Sequence, residues 1–92
     1  MSVLLLSFDL SQKDALTRIE IESQVDKLEN VHQIAETVWL IETELLPGQI
    51  LNQLVDFYDA NDNIFVFTLD SDWEASAGID HLKWLEDNID GY

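Results

Sequence analysis

The first strongly patterned stretch is Val3-Leu4-Leu5-Leu6, an unbroken apolar run followed by Ser7 and Phe8. A short run of this kind, closed by the polar group Ser11-Gln12-Lys13, predicts a strand over residues 2–10 with both faces apolar. From Asp14 to Glu29 the spacing lengthens to that of a helix. Leu16, Ile19, Val25 and Leu28 fit one side, Ile21 widens it, and Asp14 supplies the N-terminal acid. The piece Thr17 to Glu22 also alternates like a strand, so two readings are open there. Val31 to Thr43 is rich in β-formers, most clearly at Val38-Trp39-Leu40-Ile41, and a turn near Ala35-Glu36 divides it into two short strands. Pro47 opens a helix whose apolar stripe is Ile50, Leu51, Leu54, Val55 and Tyr58. Asp59-Ala60-Asn61-Asp62 reads as a turn, Asn63 to Leu69 as a second strand built on Ile64-Phe65-Val66-Phe67, and Asp70 to Gly78 as a loop. Ile79 to Ile89 closes the chain as a helix with Ile79, Leu82, Leu85 and Ile89 on one face.

This order is α+β: a single ferredoxin-like βαββαβ domain over residues 1–92 with an added C-terminal helix. A sheet of that type carries its helices on one face, and its other face alternates to polar where it meets water. Val3–Leu6 and Ile64–Phe67 do not alternate. The closing helix is short for covering the second face, so the expected cover is another copy of the chain, with Val3, Leu5, Phe65 and Phe67 at the dimer interface.

Charge changes the picture most. Nineteen Asp and Glu face four Lys and Arg, for a net charge of −15. A chain with so few cations has almost nothing with which to neutralise phosphates, which argues against direct nucleic-acid binding. Three readings of such a surface are open: an ordinary solvated face, the acidic coat of a halophile, and a match to a basic partner surface, a class that includes proteins imitating nucleic acid. Candidate partner-binding acids are Asp56, Asp59, Asp62, Asp70, Asp72, Glu74, Glu86, Asp87 and Asp90. With no Cys there is no disulfide, thiolate metal site or thiol nucleophile. The start lacks a basic region before its apolar run, which Asp9 interrupts, and no run approaches a membrane span. A cytoplasmic protein without membrane contact is expected.

Chemistry-bearing motifs are sparse. Asp70-Ser71-Asp72-Trp73-Glu74 spaces carboxylates as hard oxygen ligands would be, but it lacks the glycine and terminal Glu of a calcium loop, so a solvated loop is the plainer reading and no metal is assigned. His32 and His81 each stand alone in sequence, outside any catalytic motif, and read as structural. Trp39, Trp73 and Trp84 read as core or interface anchors. Asp9 ends an apolar strand at the sheet's edge. Its reading is a helix-capping or turn acid or, alternatively, a divalent-metal ligand that a symmetric dimer would duplicate.

Several stretches resemble small proteins of the SinR-like family, relatives of the CRISPR-associated endoribonuclease-like subunits of spacer acquisition. They are Val3-Leu4-Leu5-Leu6-Ser7-Phe8-Asp9-Leu10, Thr37-Val38-Trp39-Leu40-Ile41 with Thr43, Asp59-Ala60-Asn61-Asp62, and Lys83-Trp84-Leu85-Glu86-Asp87-Asn88-Ile89. The resemblance implies a ferredoxin-like fold, dimers with sheets facing each other, and Asp9 at the position of the proposed Mg²⁺ or Mn²⁺ ligand of the nuclease relatives. The departure is electrostatic, because those relatives carry basic surfaces and this chain is acidic. The expectation is therefore an acidic, non-enzymatic homodimer without cofactor that occupies a basic DNA- or RNA-binding surface of a partner, as a mimic or an inhibitor of a defence system. A metal-dependent nuclease centred on Asp9 and an antitoxin-like regulatory dimer are the alternatives.

Overall fold

The computed structural model describes residues 2–9, 15–28, 30–58 and 62–89. Its elements are β1 (Ser2–Asp9), α1 (Ala15–Asp26), β2 (Val31–Ala35), β3 (Val38–Thr43), α2 (Pro47–Leu54) with a 3₁₀ turn at Val55–Phe57, β4 (Asn63–Leu69) and α3 (Ile79–Asn88). The expected Asp14 cap, Leu10 and the turn residues Asp59, Ala60 and Asn61 lie outside the described residues. The four strands form one sheet in the order β2-β3-β1-β4, every neighbouring pair antiparallel. Since β3 lies antiparallel between β1 and β2, those two run parallel, joined through α1. By the same logic β3 and β4 run parallel across β1, joined through α2.

Alternation along β1 sends Leu4, Leu6 and Phe8 to one face and Val3, Leu5 and Ser7 to the other. The first face holds the larger core: Leu6, Phe8, Trp39 and Ile41 from the sheet meet Ile21 and Val25 from α1 and Leu54 from α2. Phe8 and Trp39 stack with ring centroids 5.2 Å apart. Alpha1 departs from its expected face. Ile21 and Val25, one turn apart, are fully buried, whereas Leu16 and Ile19 are 63% and 57% exposed. A helix touching a flat sheet buries a narrow stripe, and residues at 16 and 19 project about 140° and 160° away from 21 at 100° per residue. Arg18 ties α1 to the β2–β3 turn, bonding Glu36 through its carboxylate at 2.8 Å and its backbone carbonyl at 3.2 Å, while also holding Glu22 at 3.2 Å. These carboxylates, Glu36 first, raise its pKa further. Alpha2 starts as its sequence dictates, with Pro47 at the first turn and the Gln49 side chain accepting from the Leu46 N–H at 2.7 Å. Val55 leaves its stripe, 51% exposed in the 3₁₀ turn, while Tyr58 still packs against the core.

The second face is covered in part from within the chain. Alpha3 and the preceding loop lie across it, so that Val3, Leu40, Leu85 and Ile89 form a second buried cluster, flanked by Leu5, Ile34, Leu69, Trp73 and Trp84. The closing helix therefore covers more than its length suggested, because Trp73 from the loop and Trp84 from the helix each contribute a large side chain. Ile79, at the start of α3, stays 81% exposed rather than joining Leu85 and Ile89. The cover reaches Leu69 at one end of β4 but not Phe65 and Phe67, which remain 51% and 56% exposed with their rings stacked 6.1 Å apart. Asn30 fixes the end of α3. It adopts a left-handed φ of 41°, and its side-chain amide donates to Glu42 at 2.9 Å and to Asn88 at 2.6 Å. Asn88 in turn donates to the Trp84 carbonyl at 2.7 Å. No described helix is long and apolar enough to cross a membrane.

Candidate functional site

The antiparallel register places acids at both ends of the β1–β4 ribbon. Val3 lies opposite Leu69 and Asp9 opposite Asn63, so Asp70 stands at the Ser2 end and Asp62 at the Asp9 end. Eight residue steps separate the two acids along the strand, roughly 26 Å. At the Ser2 end, Glu42 of β3, Asp70 after β4 and Asp87 of α3 line one cleft of about 480 Å³, together with Ser71 and Asn88. No Lys, Arg or His is among the residues lining it. Asp70 is partly committed, since its carboxylate accepts from the Asp72 N–H at 2.9 Å and holds the loop in an Asx turn.

Of the acids expected to meet a partner, Asp56, Asp70, Asp72, Glu74, Glu86 and Asp87 are exposed and Asp62 is half-buried. Asp59 and Asp90 lie outside the described residues. Folding brings Asp70 and Asp87 to one cleft and adds Glu42, which sequence reasoning passed over because it sits inside a strand. Asp56 and Asp62 belong to other elements, the 3₁₀ turn and the approach to β4. Asp9 is exposed at the end of β1. Among the described residues no three His, Asp or Glu side chains converge as a metal site would require.

The residues expected at the dimer interface separate. Val3 is buried beneath α3 at 3% exposure and Leu5 is half-buried beside it, while Phe65 and Phe67 are open.

The two histidines are not isolated. His32 of β2 and His81 of α3 meet across the second face, Nε2 to Nδ1 at 2.7 Å, and His32 stacks on Trp84 with centroids 5.5 Å apart. One ring nitrogen must donate and the other accept, so the contact tolerates at most one extra proton. Burial, then the neighbouring His81, lowers the pKa of His32, against an opposing pull from Asp80. His81 also borders an apolar pocket of about 320 Å³ between the sheet and the 70–78 loop, beside Trp73, Glu74 and Leu85. A spacing of 49 residues between the two histidines hid this pair from any local motif.

No family model, curated protein or solved structure matches this chain.

Proposed function

We propose that this chain is an acidic, non-enzymatic interaction protein that acts as a homodimer and occupies a basic, nucleic-acid-binding surface of a partner protein. The observation that carries the reading is the cleft lined by Glu42, Asp70 and Asp87 with no cation among its lining residues, in a chain of net charge −15. The nearby loop adds exposed Asp72 and Glu74, and α3 adds exposed Glu86. Twice −15 is −30 for a dimer. At one charge per about 1.7 Å, duplex DNA holds that many in roughly 50 Å. A single chain already extends 39 Å along its longest axis. The fold behind this reading is ferredoxin-like, in favour of which stands the interleaving of β1-α1-β2 with β3-α2-β4 in one antiparallel sheet. The proposed place of action is the cytoplasm, where defence systems that bind nucleic acid operate.

The test is capture from a cell lysate on the immobilised chain at about 0.05 M and about 0.5 M salt, a span over which the Debye length falls severalfold. Basic nucleic-acid-binding proteins should be retained at low salt and released at high salt. A triple variant, Glu42→Gln, Asp70→Asn and Asp87→Asn, should lose most of them. A lysate that yields no such protein at low salt, or yields the same set on the variant, contradicts the reading.

A further inference from the structure

The sheet has two edges, and they differ. Beta2 is only 5 residues long and carries a register shift between Gln33 and Ala35 against β3, the kind of irregularity that discourages further pairing. Beta4 is 7 residues long, pairs with β1 without a break from Asn63 to Leu69, and contains no charged residue or proline. In a chain of −15 that is an unguarded edge. Among the described residues, the backbone hydrogen bonds outside regular elements involve none of residues 63–69. Along the same edge stand Phe65 and Phe67, half-exposed and stacked on each other. Stacking two sheets face to face is obstructed, because α3 already lies over Val3 and Leu40.

We infer that two copies of this chain join edge to edge through β4, antiparallel about a two-fold axis at Val66, into one continuous eight-stranded sheet. This deepens the dimer reading given above and rests on it. The register is self-complementary. With Val66 opposite its own copy, Phe65 falls opposite the partner's Phe67, Ile64 opposite the partner's Thr68, and Asn63 opposite the partner's Leu69. Four phenylalanine rings thus gather on one face, and at 150–250 Å² each, half of it open now, they offer roughly 400 Å² of apolar surface. That apolar area is well below a standard interface, so the backbone pairing of the two β4 strands has to carry much of the contact and the association is expected to be weak. The same register sets Asp62 opposite the partner's Asp70 at each end. Like charges directly opposite oppose pairing, and salt screens them. Self-association should therefore strengthen with ionic strength, whereas capture of a basic partner should weaken.

Sedimentation velocity at about 100 μM chain, at low and high salt, reads the first half of this inference; Phe67→Asp, at an exposed position, should weaken association at least tenfold without unfolding the chain. Because the chain has no cysteine, Val66→Cys reads the register. Directly opposed residues of an antiparallel pair sit about 4.5–5.5 Å apart at Cα, within disulfide reach. Val66→Cys should cross-link to dimer on mild oxidation and Thr68→Cys should not, its two copies standing about 13 Å apart along the ribbon. A monomer at every salt concentration overturns the inference while leaving salt-sensitive capture of a basic partner standing. Equal cross-linking at both positions, or a dimer that Phe67→Asp leaves intact, overturns the edge geometry.

Discussion

The contact between His32 and His81 makes the docking of α3 sensitive to pH. Between neutral rings the 2.7 Å bond contributes about 0.5–1.5 kcal/mol. Once both rings carry protons, both nitrogens are donors, the bond is gone, and two positive charges face one another. At 4 Å those repel by about 1 kcal/mol in water and more in partial burial. Asp80 and the face of Trp84 offset part of that cost. A net loss of about 1–2 kcal/mol is expected. Its sign follows from His32, whose folded-state pKa lies below the ordinary imidazole value of 6.5. The folded chain then binds fewer protons than the unfolded chain, so the contribution is fully present above 6.5 and is lost as pH falls below it, toward the lowered folded value. The assay is hydrogen exchange of residues 79–88, with a denaturant midpoint, between about pH 8 and pH 5. His32→Gln keeps a donor toward His81 and removes one titration. Neutralisation of surface carboxylates acts on both proteins alike, so the difference between their curves isolates the pair. Parallel curves for wild type and His32→Gln would refute the argument.

On α1, Ile21→Ala should cost about 2–5 kcal/mol because the side chain is fully buried, while Leu16→Ala, at a 63% exposed position, should stay within about 0.5 kcal/mol; chemical denaturation of both variants checks this. Asn30→Ala should destabilise by about 1–3 kcal/mol, losing the bridge to Glu42 and Asn88 and straining a φ of 41°, whereas Asn30→Gly should recover the backbone part; thermal melts of the pair separate the two effects. Acidification toward the sequence pI of about 4.1 should bring association or precipitation as the net charge vanishes, followed by light scattering; unchanged solubility through that range would speak against a surface governed by free carboxylates.

The strands were legible because their signals are local. An apolar run at Val3–Leu6, the β-rich Val38–Ile41 and the seven residues from Asn63 to Leu69 each specify a strand without reference to the rest of the chain. Pro47 likewise marked the start of α2. What failed was the assignment of faces. Leu16 and Ile19 are as apolar as Ile21, and only the position of α1 over the sheet decides which are buried. The second face was half legible. Its apolar surplus showed at Val3 and Phe65, but that Trp73 and Trp84 would converge from a loop and a helix depends on tertiary placement. The candidate site lay deeper still. Glu42, Asp70 and Asp87 are separated by strands and loops, and His32 and His81 by 49 residues, so their meeting is a property of the strand order rather than of any motif.

The most direct test of an acidic surface that stands in for nucleic acid is competition. A basic nucleic-acid-binding protein captured on this chain is first loaded with a fluorescent duplex, and the unlabelled chain is then titrated in while anisotropy is followed. Full release of the duplex is expected at one fixed low salt concentration, with the chain concentration required rising at least tenfold for the Glu42→Gln, Asp70→Asn and Asp87→Asn variant. A duplex that stays bound while the chain joins it in a ternary complex would contradict the reading.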